Sequence, residues 1–295
     1  MDVMGEGLGV TVSRASDAAA HSAAACVGDA LPVSTRQPAR AAQARTARQQ
    51  RIVDHVLAAG SASAAELVEL TGVSLMTVHR DVDELVRRGL VRKYRGGVSA
   101  QPTSVFESHS EYRRTLRPAE KAAVAQAALP MVEPGSSIMV DDSSTALALV
   151  ERLHEVGPLT VVTNYLPAVQ LLKEMSEVRL IALGGDYSRT HDSFGGISCM
   201  ESIASMSVDQ AFVSTSSMTG SMTYHQEQDV VLVKRAMLDA AARRVLLMDS
   251  GKAPRRALHQ VRPLEAFDAL VVDDGVDEDL LLELREHVPV TVAPT

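Results

Sequence analysis

The sequence is poor in aromatic residues, in cysteine and in long apolar runs, and each shortage excludes a class of protein. It has no tryptophan and only 3% aromatic residues, so stacking platforms for single-stranded nucleic acid are not expected. Two cysteines, Cys26 and Cys199, cannot form a disulfide framework or a multi-cysteine zinc site, which favours a reducing, cytoplasmic setting. No apolar run reaches the roughly 18 residues of a membrane span. The sequence predicts neither a metal site nor a cofactor.

The length and the pattern along the chain indicate two domains. There are 295 residues, of which 46% are hydrophobic, enough for buried cores.

Residues 1–44 are rich in Ala, Ser and Gly and lack a helical or strand period. We therefore expect a disordered extension, or a translation start placed too far upstream. Only Arg14 precedes the broken apolar stretch 18–26, which does not resemble a signal peptide.

The net charge of −8 is unevenly distributed along the chain. Residues 1–35 carry −3 and residues 98–295 carry −10, whereas residues 36–97 carry eleven bases and six acids, a net charge of +5. The basic segment can attract phosphate groups although the whole chain is acidic.

The basic segment has the pattern of a winged helix-turn-helix domain over residues 45–100. Ile52, Val53, Val56 and Leu57 share one helical face, and Gly60 ends that helix. A capping box at Ser63–Glu66 opens a second helix, so the helix-turn-helix itself spans about residues 63–82. Ser74 is expected to cap the third helix, with an apolar stripe of Leu75, Val78, Val82, Leu85 and Val86. A glycine-turn hairpin follows from residue 90.

This layout predicts which side chains meet double-stranded DNA. Residues at the start of the third helix can reach base edges in the major groove: Ser74, Met76, Thr77, His79 and Arg80. Bases on the hairpin, or wing, can contact phosphates: Arg92, Lys93 and Arg95. A protein-docking module of three short helices is the alternative at this point.

After a polar linker at residues 101–117, residues 118–295 alternate between continuous apolar runs and helical patterns. The runs are residues 138–140, 159–162, 178–183, 211–213, 245–248 and 269–272, and the helical patterns include 145–153, 167–175, 231–242 and 277–286. Such alternation predicts an α/β domain with a parallel sheet covered by helices on both faces.

Ligands of such sheets bind beyond the carboxyl ends of the strands. Hydroxyl, amide, glycine and lysine residues follow several of the runs, which suits a polyhydroxylated, phosphorylated small molecule. The predicted effector-binding residues are Asp141, Ser143, Ser144, Thr145, Thr163, Asn164, Gly184, Gly185 and Lys252.

The ordered set of motifs resembles the DeoR family of bacterial transcriptional regulators. Thr77-Val78-His79-Arg80-Asp81 is similar to the family's recognition helix, with His79 in place of an Arg, and Asp81 is expected to orient Arg80 or the helix. Asp141-x-x-Ser144-Thr145, Lys234-Arg235 and Asp249-Ser250-x-Lys252 resemble its sensor domain. The resemblance implies a sugar-phosphate-isomerase-like fold and a repressor of carbohydrate genes released by a phosphorylated sugar or related metabolite. Symmetric operators and a single small reading head per chain favour a homo-oligomer, a dimer or tetramer.

Several residues depart from the family pattern. Ser143 stands where Gly is usual, Ser214, Ser216 and Ser217 occupy a stretch that is often glycine-rich, and Gly251 replaces a common Ser. An isomerase with an accessory DNA-binding domain is the alternative function. Lys252 would be its electrophile, and Asp142, Asp209 or Asp249 its base.

Overall fold

The computed structural model describes residues 36–295, with side chains from residue 43 onward. Most of the predicted extension therefore lies outside the described residues, but its last part is helical, because the first helix begins at Arg36. Residues 42–295 form one compact unit. No helix in the described part of the chain is long and apolar enough to cross a membrane.

The N-terminal domain, predicted to bind DNA, has three helices and a small antiparallel sheet with strand order β1-β3-β2. Its elements are α1 (Arg36–Ala59), β1 (Ser61–Ser63), α2 (Ala64–Thr71), α3 (Leu75–Arg87), β2 (Arg92–Tyr94) and β3 (Gly97–Ser99). The predicted capping box is present at Ser63 and Glu66, and Gly72 ends α2 with a left-handed φ of 69°. These local signals place the turn between α2 and α3.

The core of this domain is formed by the predicted apolar faces, including Ile52, Val56, Val78 and Leu85. Leu75 is an exception, because its side chain is 52% exposed. It is the first residue of α3, and side chains on a helix tilt toward its N-terminus, so Leu75 points past the partner helix into solvent.

The segment predicted as a linker, residues 101–117, is largely packed, and we call it the strap. It contains helix α4 (Ser110–Thr115). Glu107, Ser108, Ser110 and Tyr112 in it are buried. A polar composition suggested a solvated connection, whereas these polar groups are satisfied by hydrogen bonds such as Ser108 Oγ to the Ala100 carbonyl, at 2.8 Å.

The larger domain contains the predicted parallel sheet, with strand order β15-β14-β12-β9-β4-β5-β6. Its strands are β4 (Ser137–Val140), β5 (Leu159–Thr163), β6 (Val178–Ala182), β9 (Val208–Val213), β12 (Ala241–Met248), β14 (Ala269–Asp273) and β15 (Val290–Ala293). All six predicted runs are strands of this sheet, and β15 was not predicted.

Helices cover both faces of the sheet and enclose two apolar cores. They are α5 (Pro118–Ala128), α6 (Ser144–Val150), α7 (Leu166–Leu172), α8 (Gly196–Ala204), α9 (Gln228–Asp239) and α10 (Glu278–His287). The helix predicted to reach residue 242 ends at Asp239, because the chain from Ala241 pairs with β9 as part of β12.

Short antiparallel strands at the edge of this domain were not predicted. Strands β7 (Asp186–Ser188) and β8 (Ser193–Gly195) form a hairpin. Strands β10 (Ser217–Met218), β11 (Met222–His225) and β13 (His259–Pro263) form a second small sheet. These strands are short and mixed in polarity, so they lack the apolar runs that marked the main sheet.

Candidate DNA-binding surface and effector cavity

The start of α3 exposes the side chains predicted to read DNA. Met76 is 65% exposed, and His79 and Arg80 are exposed beside it. Ser74 caps the helix by accepting from the Thr77 backbone N–H, and the two hydroxyls lie 3.0 Å apart. Ser74 and Thr77 therefore also hold the first turn of α3 in place.

Asp81 is buried and fixes α3 against α1. Its carboxylate accepts from Arg48 Nε at 2.5 Å and from Gln49 Nε2 at 3.1 Å. Of the two predicted roles, orienting Arg80 or orienting the helix, the contacts correspond to the second. A buried, charge-assisted pair of this kind sets the angle at which α3 is presented.

The wing carries three bases in different surroundings. Arg92 Nε donates to the Gln101 carbonyl at 3.0 Å, and Lys93 pairs with Asp83 of α3. Arg95 is exposed in the turn beside Gly96, whose φ is 99°. Because Arg92 and Lys93 have partners and Arg95 is exposed, Arg95 is the wing base most available to a phosphate.

Gly97 is required for close packing of the wing, because a Cβ there would lie 2.2 Å from the Ala62 carbonyl oxygen.

A cavity of about 290 Å³ lies beyond the carboxyl ends of β4, β9 and β12. The main-sheet side contributes Ser143, Ser144, Ser214, Thr215, Asp249 and Lys252, and the strap contributes Gln101, Pro102, Glu107, Ser108, Tyr112, Arg113, Leu116 and Arg117. The position is the one that the parallel-sheet rule predicts for a ligand.

Under this cavity, Lys234 of α9 bridges the two aspartates that follow β4. Lys234 Nζ lies 2.5 Å from Asp141 Oδ2 and 2.8 Å from Asp142 Oδ1, and all three side chains are buried. The lysine, together with His191 and Arg113, holds the pKa of Asp142 far below its usual range despite the opposing effect of burial. Lys234 was not among the predicted effector-binding residues.

The residues after Asp142 connect this ion group to the start of α6. Ser143 Oγ donates to Asp141 Oδ1 at 2.6 Å and accepts from the Ala146 N–H at 3.1 Å. Ser143 and Ser144 line the cavity. Asp141 lies behind them as an acceptor, also from the Ser214 N–H at 2.9 Å, so its role here is to position the loops.

Lys252 extends from the turn after β12 toward α6. Its Nζ donates to the hydroxyls of Thr145 and Ser214, each at 2.8 Å, and lies 3.4 Å from Asp249 Oδ2. Burial lowers the pKa of this lysine, and the nearby Asp249 carboxylate partly opposes that effect. The ammonium group of Lys252 thus links the ends of β4, β9 and β12 through the hydroxyls of Thr145 and Ser214.

Four predicted residues lie elsewhere. The cavity lining does not include Thr163, Asn164, Gly184 or Gly185, nor does it include Asp141 and Thr145, which contact lining residues from behind. Asn164 Nδ2 donates to the Phe194 carbonyl at 2.7 Å, and a Cβ on Gly185 would lie 2.1 Å from the Gly195 carbonyl oxygen. These two residues hold the β7–β8 hairpin against the sheet, and the Thr163 hydroxyl accepts from the Tyr165 N–H.

Asp209, one of the bases considered for an isomerase, lies at the other end of the sheet. Its carboxylate accepts from the N–H and the hydroxyl of Ser137, both at 2.7 Å, at the amino ends of β4 and β9. It therefore cannot act on a ligand in the cavity.

Sequence reasoning missed several cations of the cavity because they come from the strap, α5 and a surface loop. Arg113, Arg117, Lys121 and Arg255 join Lys234 and Lys252 in its lining, where Glu107 and Asp249 are the carboxylates. Arg117 lies over Gly251, since a Cβ on that glycine would be 2.2 Å from Arg117 Nε. Gly251 thus provides the space for a strap arginine.

The charge of this lining favours an anionic ligand. Lys121 donates to the carbonyls of Arg113 and Leu116, and it is only 5% exposed. Burial, with the nearby charge of Lys252, lowers the pKa of Lys121 to about 7. A bound anion would favour the charged form of both lysines.

Comparison with known proteins identifies both domains. Residues 48–103 match the DeoR-like helix-turn-helix domain, and residues 116–274 match the DeoR C-terminal sensor domain. The chain is 35% identical over 231 residues to YgbI, an uncharacterized HTH-type transcriptional regulator of Escherichia coli K12, covering 78% of this chain and 91% of that one.

Two further relatives are named as regulators of operons. The putative aga operon transcriptional repressor of Escherichia coli O157:H7 is 28% identical, covering 81% of this chain and 90% of the relative. The L-fucose operon activator of Haemophilus influenzae is also 28% identical, covering 83% and 98%.

Among solved structures, ribose 5-phosphate isomerase A of Neisseria gonorrhoeae aligns with 45% of this chain and 52% of its own, at 14% identity and a TM-score of 0.34. So distant a likeness says nothing about activity. The two matched domains account for most of the chain, and their family consists of transcriptional regulators and not of enzymes, so the isomerase alternative is set aside. The chain belongs to the DeoR family of helix-turn-helix transcriptional regulators.

Proposed function

We propose that this protein represses carbohydrate-metabolism genes in the bacterial cytoplasm and is released from its operator by a phosphorylated sugar or related metabolite. The cationic cavity at the strand ends carries the proposal, because several lysines and arginines surround hydroxyl groups there. Such a site suits a ligand with a phosphate and several hydroxyls. The names of relatives point to sugar operons, and they include both repressors and an activator.

On DNA, α3 reads base edges and the wing contacts phosphates. The exposed Arg80 can bind a guanine through two hydrogen bonds. A single small reading head per chain suits a symmetric operator bound by a dimer or tetramer. In this scheme the effector prefers a conformation that fits DNA poorly, as linkage requires.

The deciding experiment is release of the purified protein from its own upstream DNA by a panel of sugar phosphates. We expect one compound to lower operator affinity, and Lys252→Gln to lose that response. Lys173→Gln is the matched control, because Lys173 is exposed and, among the residues that the structure describes, its ammonium pairs only with the exposed Glu174. Release of Lys252→Gln at the wild-type concentration of effector would remove Lys252 from the site.

The DNA-reading assignment is tested separately. Arg80→Ala should lose discrimination between operator and random DNA by about 1–3 kcal/mol at one base position. If Arg80→Ala binds both DNAs as the wild type does, α3 is not the reading helix.

Loss of the gene product should raise transcription from the operator, and lowered transcription would indicate an activator.

A further inference from the structure

The strap belongs to two parts of the protein at once, the effector cavity and the core of the DNA-binding domain. Tyr112 is 5% exposed and packs in the same apolar core as Ile52 and Val56 of α1. The same tyrosine lines the cavity, together with Gln101 at the start of the strap. One wall of the cavity is thus physically part of the DNA-binding domain.

Two polar groups of this wall lie close to Gly60, which follows the end of α1. A Cβ placed on Gly60 would lie 3.1 Å from Gln101 Nε2 and 3.3 Å from the Tyr112 hydroxyl. Neither the amide nor the hydroxyl has a hydrogen-bond partner among the residues that the structure describes. Both groups can donate and accept hydrogen bonds, and the residues that carry them both line the cavity.

The opposite side of the strap is fixed to the sensor domain. Gln226 Nε2 donates to the Thr103 carbonyl and the Leu258 N–H donates to the Ser104 carbonyl, each at 2.9 Å. The Ser110 and Tyr165 hydroxyls lie 2.6 Å apart in a buried contact. Movement of the strap therefore has to move contacts in both domains.

We infer that Gln101 and Tyr112 are effector-binding residues contributed from the DNA-binding side. They bind the hydroxyl groups of a ligand whose anionic group lies among Lys252, Lys121 and Arg117 on the sensor side. The inference rests on the proposed function for the nature of the ligand. Its consequence is that the ligand spans both domains, and filling the cavity changes the position of α1 and α3 by direct contact through the strap.

A tethered anion tests this coupling without knowledge of the effector. In a Cys26→Ser background, Gln101→Cys is treated with 2-sulfonatoethyl methanethiosulfonate, which forms a mixed disulfide with the introduced thiol and releases methanesulfinate. The remaining native cysteine, Cys199, is buried, and burial raises its pKa to about 11, so it stays unreactive. Ser104→Cys is the matched control, since Ser104 is exposed on the same strap and does not line the cavity.

Complete modification, verified by mass, should lower operator affinity of the Gln101→Cys protein relative to its unmodified form. The expected loss is about 5- to 150-fold, the usual range of coupling between sites. The Ser104→Cys protein should lose far less with the same reagent. Unchanged affinity after modification of Gln101→Cys would overturn the inference, and so would an equal loss at both positions, which would indicate repulsion of DNA by the added charge.

The hydrogen bond of Tyr112 has its own test. Tyr112→Phe keeps the ring in the core and removes the hydroxyl, so the Kd of the releasing sugar phosphate should rise about two- to twelvefold. Tyr187→Phe, at an exposed tyrosine outside this cavity, is the control. An unchanged Kd in Tyr112→Phe contradicts the contact. If no sugar phosphate releases the wild type, the proposed function fails, whereas the tethered anion still decides the coupling.

Discussion

The ion group beneath the cavity makes a strong prediction for Lys234→Met. Methionine has a similar length and no charge, so the substitution leaves the carboxylates of Asp141 and Asp142 buried without the ammonium that bridges them. Removing one partner of a buried ion pair typically costs about 3–5 kcal/mol of stability. Arg113 and His191 remain near Asp142, and backbone and hydroxyl donors remain on Asp141. These contacts place the expected loss near the lower end of that range.

The assay is urea unfolding at several pH values, because the sign of the pH dependence identifies the cause. In the wild type the pKa of Asp142 is depressed by Lys234, so its contribution to stability is present above the unfolded pKa and is lost as the pH falls. In Lys234→Met the lysine no longer opposes burial, so the pKa of Asp142 rises. The difference in unfolding free energy between the two proteins should therefore be largest near pH 7–8 and should shrink toward pH 4.

Lys173→Met provides the matched control, because that lysine forms an exposed ion pair with Glu174, and such a pair contributes about 0–1 kcal/mol. A loss below about 1 kcal/mol in Lys234→Met, within that surface range, would refute the reasoning. A loss independent of pH would show that packing, and not charge, is responsible.

Three further predictions concern the wing, the end of α3 and the cavity. Arg95→Ala should reduce the slope of log operator affinity against log salt by about one unit, and an unchanged slope would place Arg95 away from DNA. Gly89→Ala should destabilise the protein by more than the roughly 1–2 kcal/mol typical of a left-handed non-glycine residue, because its Cβ would also lie 2.8 Å from Thr190 Oγ1. Gly72→Ala, with a similar φ of +69° and no neighbour within 4 Å, isolates the strain in thermal unfolding, and equal losses would contradict the contact. The pKa of Lys121 is lowered to about 7 in the folded protein, so above pH 7 the unfolded chain binds more protons than the folded one. The unfolding free energy of the wild type should therefore rise from about pH 7 to 9 relative to that of Lys121→Met. Parallel pH profiles of the two proteins in urea unfolding would show that Lys121 stays charged.

The fold could be predicted where its determinants are local. Ser63 and Glu66 form the predicted capping box, Ser74 caps α3, and the six apolar runs are strands of one sheet. The exposed Leu75 shows the limit of a periodic pattern at a helix end. Helix α9 was predicted too long because pairing with β9, a non-local contact, takes over at Ala241.

The candidate site could be predicted only on the side built from strand ends. Ser143, Ser144 and Lys252 follow from the parallel-sheet rule, and they line the cavity. The same rule also selected Asn164 and Gly185, whose hydrogen bond and close backbone approach hold a hairpin that the sequence did not reveal. The strap wall was missed because a polar, irregular segment carries no signal of burial, and Tyr112 reaches the cavity through long-range packing.

The packed strap also bears on how such regulators can be recombined. A chimera that joins this DNA-binding domain to a different sensor would conventionally be cut in the segment between them, within residues 101–117. That cut would divide the wall containing Gln101, Tyr112 and Arg117 from the lysines that face it. A transplanted sensor should therefore keep its own strap. The core of this DNA-binding domain must then accommodate the residue of that strap that takes the position of Tyr112. A functional chimera therefore depends on the packing of the side chain at position 112, which both domains share, and not on the flexibility of the segment between them.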